Sequence, residues 1–119
     1  MVKRINPFLG KWRILEMEMW DRDYIDLIVP GHITFEDEGD GSFQFGTVKG
    51  WLDCRIEGAG DERRIEFSWE GFSDTDPGCG RGWAIIRDDE LHGRLYIHAG
   101  DDSSFRARRS EKRRRKNVA

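Results

Sequence analysis

Cysteine, proline and histidine are scarce in this chain, and none of them clusters. Two cysteines, Cys54 and Cys79, lie 25 positions apart without a C-x-x-C, and three histidines (His32, His92, His98) are scattered. None of the paired ligand spacings of a zinc site is present, so no metal is expected. No apolar run approaches the ~20 residues that span a bilayer. No apolar stretch follows Lys3 and Arg4, so no secretory signal is read and a cytoplasmic location is expected. The cysteines are then read as free thiols, although spacing alone leaves a disulfide open. There is no phosphate-binding loop, dinucleotide fingerprint or G-x-S-x-G elbow, and no internal repeat. No cofactor and no catalytic group is therefore expected.

What the chain does have is charge and aromatic area. Its 119 residues are enough for one domain. Charged residues reach 36%, yet five Trp, seven Phe and two Tyr supply a core that a disordered chain would lack. The net charge of -3 hides a split. From Arg106 onward, eight basic side chains face one acid (Glu111), while residues 1–105 hold 12 basic and 22 acidic ones. This predicts an acidic domain over 1–109 and a basic tail over 110–119. The tail, in particular Arg108 to Lys116, is a candidate for weak contact with nucleic-acid phosphates or an acidic membrane surface, or for folding back on the acidic body.

Fourteen glycines punctuate short alternating segments rich in Trp, Phe, Ile and Val, the pattern of an all-β domain. From Lys11 to Met19, Leu15, Met17 and Met19 oppose Glu16 and Glu18. Trp12 and Ile14 fall on the Glu parity, which predicts a bulge near Ile14. Trp20, Tyr24 and Leu27 recur at helical spacing behind Asp21, a good N-cap, and Pro30-Gly31 stops the turn. Strands follow over 32–37, 42–48, 51–56, 64–70, 82–87, 92–99 and 104–108, with a longer loop over 71–80. The expectation is an antiparallel up-and-down barrel of about eight strands with one short helix after the first, or else a two-sheet sandwich.

Pro7-Phe8-Leu9-Gly10-Lys11-Trp12 resembles the opening of the calycins, the lipocalins and fatty-acid-binding proteins, which carry G-x-W at the start of the first strand. The resemblance implies a structural role for Gly10 and Trp12, with a last-strand arginine, Arg106 or Arg108, stacked across the Trp. In fatty-acid-binding proteins a late R-x-Y binds a ligand carboxylate. Here the segment reads Arg106-Ala107-Arg108, without the Tyr.

Alternation assigns Phe35, Phe43, Phe45, Phe67, Trp69, Trp83 and Phe105 inward. They form either an ordinary core or the lining of a cavity for a small, partly apolar ligand, with Met17, Met19 and Trp20 as a lid and Arg106 as a polar contact. If Leu52, Cys54 and Ile56 face in, Trp51 stands outside beside Asp53 and Arg55, a candidate partner or homodimer surface. The 74–80 loop lacks the later ligands of a calcium loop. His98, Asp101, Asp102, Ser103 and Ser104 read as a polar turn rather than a triad.

Overall fold

Each alternating run becomes a strand, and most glycine- or aspartate-rich breaks become turns. In the computed structural model, which describes residues 6–110, eight antiparallel strands follow one another in chain order and the last pairs with the first, closing a barrel. They are β1 (Gly10–Met17), β2 (His32–Phe35), β3 (Asp40–Phe45), β4 (Val48–Glu57), β5 (Arg64–Ser73), β6 (Asp76–Arg87), β7 (Glu90–Ile97) and β8 (Asp102–Arg109). Helix α1 (Arg22–Ile25) lies between β1 and β2. Closure leaves no strand edge unpaired. No helix among the described residues is long and apolar enough to cross a membrane.

The β1–β8 register shifts between Ile14 and Glu16, the bulge that puts Trp12, Ile14 and Met17 all inside. Most strand ends move by one to three residues, and two boundaries differ more than that from the sequence reading. The run over 42–48 is not one strand, because the chain reverses at Gly46 and Thr47. Gly46 has φ +57, and a Cβ there would sit 2.1 Å from the Tyr24 ring, so only glycine can make this turn. The expected 71–80 loop is instead the end of a long hairpin. Asp74 takes the left-handed conformation (φ 62), which Asp tolerates better than most residues. Its N–H donates to Thr47 O at 2.9 Å, tying the two neighbouring turns together.

The interior is aromatic. Phe43 packs edge-on against Trp69 at 5.0 Å and stacks with Phe45 at 5.9 Å. Phe35 meets Phe67 at 6.3 Å. Trp83 is not part of this core. On β6 the inward positions are Gly78, Gly80, Gly82 and Ala84, while Arg81 and Trp83 face out. The physical reason is volume: the β5 rings of Phe67 and Trp69 already fill the space over β6, so only the smallest residues fit on its inner side.

Both ends are plugged. At one, Trp12 is buried and donates its indole N–H to Phe8 O at 2.9 Å. The guanidinium of Arg109 lies 4.2 Å from the Trp12 ring and donates to Leu9 O and Pro7 O at 2.6 and 2.7 Å. At the other end, Trp20 packs 4.8 Å from Phe45 and stacks on Tyr24 of α1. Asp21 caps α1 by accepting from Tyr24 N, and Asp26 accepts from Arg13 at 2.9 Å and Gly31 N at 2.8 Å. Burial alone would raise the Asp26 carboxyl. The Gly31 N–H, the Arg13 bond and the charges of Arg13 and Arg22 outweigh it and hold it below its ordinary value.

Candidate binding surface

Antiparallel neighbours stand opposite one another, so the outward side chains of β4 to β7 form rows across the sheet. One row runs Trp51, Glu70, Cys79, His98; its last step is the bond from His98 N to Cys79 O at 2.7 Å. The next runs Asp53, Ser68, Arg81, Tyr96. The short side chains of Ser68 and Cys79 lie in the middle of these rows, between longer ones on either side. The result is a depression of about 750 Å³ on the outside of the barrel, floored in part by Gly80 and Trp69. The Trp69 indole N–H donates to Tyr96 O at 3.1 Å beneath it. A second depression of about 480 Å³ shares Asp53, Ser68, Arg81 and Tyr96 with the first and extends it to Arg55 and Trp83.

Aromatic rings line this face. Trp51 is 48% exposed and meets Phe72, 45% exposed, edge-on at 5.9 Å. Three cations cover rings: Lys49 over Trp51 at 5.5 Å, Arg81 over Tyr96 at 5.7 Å and Arg64 over Trp83 at 5.2 Å.

Charge pairing is uneven around the barrel. On the β7–β8–β1 side, Arg94 bonds Asp102 at 2.8 Å and Glu18 at 3.4 Å, and Arg106 bonds Glu16 at 2.9 Å and Glu90 at 3.1 Å. These hydrogen bonds push both guanidinium groups further up from their ordinary values. In the depression, by contrast, Asp53, Glu70 and Arg81 have no ion pair or side-chain hydrogen bond among the described residues. Three acids (Asp53, Glu66, Glu70) and three arginines (Arg55, Arg64, Arg81) line the two depressions, so the face is balanced even though the domain is acidic.

The space inside the barrel among the described residues is far smaller. Met17, Phe35, Phe45, Phe67 and Trp69 are buried as expected from alternation, but the void bounded by Met17, Phe43, Phe45, Leu95 and Phe105 measures about 10 Å³. That is the volume of one water, and the side chains around it are all apolar and offer it no hydrogen bond. Arg106 faces outward, held by Glu16 and Glu90, and does not reach inside. The arginine over Trp12 is Arg109, not Arg106 or Arg108. Alternation carries the signal: Phe105 and Ala107 face in, so the next inward position is 109. Met19 is exposed, and Trp20 alone of the proposed lid covers the barrel end. Lys112 to Lys116, the bulk of the basic tail, lie outside the described residues.

Both thiols are free. Burial, then the charges of Asp53 and Asp40, push the Cys54 thiol up to about 12, while Cys79 is exposed at the centre of the outer rows. We expect iodoacetamide at neutral pH to modify Cys79 in the native protein and Cys54 only after denaturation, with peptide mass mapping as the readout. Equal modification of both thiols in the native state would contradict the burial of Cys54. No group of three His, Cys, Asp or Glu close enough to hold a metal occurs among the described residues.

The chain matches no family model, no curated protein and no solved structure.

Proposed function

We propose that the protein is a binding module that takes a small, partly apolar ligand on the outer face of β4–β7 rather than inside the barrel. One observation carries this reading. A depression of about 750 Å³ holds Asp53, Glu70 and Arg81 without ion pairs or side-chain hydrogen bonds among the described residues, beside an exposed Trp51, whereas the interior void is about 10 Å³. Ligand sites are concave, partly apolar and carry a few convergent polar groups. The calycin-like elements, Gly10, Trp12 and a late arginine, then serve to seal one barrel end and stiffen the scaffold. The balanced charge of the face gives no attraction for a phosphate backbone.

The test is a fragment library screened against the full chain by ligand-observed NMR. Hits that vanish in Trp51→Ala, and after Cys79 is blocked with a bulky maleimide, support the reading. A screen without hits, or hits indifferent to both changes, sinks it. The exposed Trp51–Phe72 pair favours a second reading, self-association through this face. Light scattering showing a dimer that Trp51→Ala dissociates would establish that one instead.

A further inference from the structure

We propose that the ligand of the outer depression is a neutral oligosaccharide. This rests on the binding reading above and adds its chemical class.

The unpaired groups narrow the choice. Asp53 and Glu70 only accept hydrogen bonds, and Arg81 only donates. A phosphate or carboxylate ligand would satisfy Arg81 and face repulsion from both acids; an ammonium ligand would do the reverse. A hydroxyl both donates and accepts, so a polyol satisfies all three groups without importing charge. The aromatic groups add a second constraint. Ring faces carry the negative part of the π quadrupole and attract the weakly positive C–H groups on the flat sides of a pyranose. Trp51, with Lys49 over its ring but nearly half exposed, offers such a platform at one side of the depression; Tyr96, across β5 and β6, is covered by Arg81 and closes the other side.

Shape argues for a chain of sugars rather than a single ring. The first depression runs on into the second through the shared Asp53–Ser68–Arg81–Tyr96 row, with Trp83 on the far side. Four strands at about 4.8 Å spacing place these residues along a track roughly 15 Å wide. Two macromolecular alternatives fit less well. A peptide binding by strand addition needs an open sheet edge, and this barrel has none. A single-stranded nucleic acid needs a net positive track, and the lining holds as many acids as arginines.

The experiment is a printed array of neutral oligosaccharides built from glucose, mannose, galactose, xylose and N-acetylglucosamine, probed with the full chain. Array hits are then measured by titration calorimetry. At least one glycan should bind with an affinity unchanged between low and high salt. Trp51→Ala and Glu70→Ala should each weaken it by about tenfold or more, while circular dichroism shows the barrel intact. An array without binding overturns the carbohydrate assignment, as does a steep salt dependence or indifference to both substitutions. If the fragment screen finds zwitterions or anions that Trp51→Ala abolishes while the array stays blank, the site stands and only the ligand class falls.

Discussion

Gly82→Ala should cost the barrel about 3 kcal/mol or more, the upper range for overpacking a core. The added methyl would lie 2.4 Å from the Phe67 ring and 2.7 Å from the Arg94 carbonyl oxygen. Neither neighbour yields easily. Phe67 is buried between β4 and β6, and Arg94 O belongs to the β7 backbone that pairs with β6. Against a stability of about 5–15 kcal/mol for an ordinary domain, the loss is large enough to read as a clear fall in the urea midpoint. Shortening Phe67 in the same chain tests the cause. Phe67→Leu alone should destabilise, but with Gly82→Ala it should recover part of the loss, giving a coupling energy of opposite sign to the single effects. Additive losses would mean that the ring is not what glycine makes room for.

Phe43→Ala should cost about 3–5 kcal/mol, the usual range for a buried phenylalanine. It should also create what the parent lacks. Phe43 stands between Phe45 and Trp69 and borders the void of about 10 Å³, so removing its ring opens a dry apolar cavity. Cavities of that kind take up small apolar molecules. Benzene should therefore raise the melting temperature of the variant and leave the parent unchanged. Stabilisation of the parent by benzene would show that the barrel centre is open, and would return the ligand to the interior.

Much of the architecture is legible in the sequence because a closed antiparallel barrel is local. Seven of its eight strand pairings join consecutive segments, and alternation with glycine breaks marks each segment. The N-cap Asp21 and the bulge in β1 are equally local signals. The sequence misleads where a neighbour decides the available volume. Trp83 has the size of a core residue, yet the small residues Gly82 and Ala84 beside it hold the inner positions because Phe67 fills that space from β5. No one-dimensional pattern contains that competition. The stretch over 71–80 looks like a loop from its Gly, Pro and Asp content. It is strand because Gly71 lets β4 come close, a Cβ there falling 1.9 Å from Lys49 O, while the Gly78 side of the pair runs past the Trp69 ring without a clash. The outer depression was half visible: Trp51 beside Asp53 and Arg55 follows from alternation. That Glu70, Arg81 and Tyr96 join them depends on register across four strands, which the sequence does not state.

The closing pair, β1 with β8, differs in kind from the other seven. It brings Trp12 beside Arg109 across nearly the whole domain, so its loop-closure entropy is the largest in the molecule. Hairpins can form early; this pairing has to wait for them. Until it forms, or whenever it opens, the domain is a curved sheet with two bare edges, each able to recruit a second chain. The Arg106–Glu16 bridge and the clamp of Arg109 on Leu9 and Pro7 lie on that junction. Their weight therefore falls on the opening rate. They act as a latch, and what they hold back is the aggregation-competent open form.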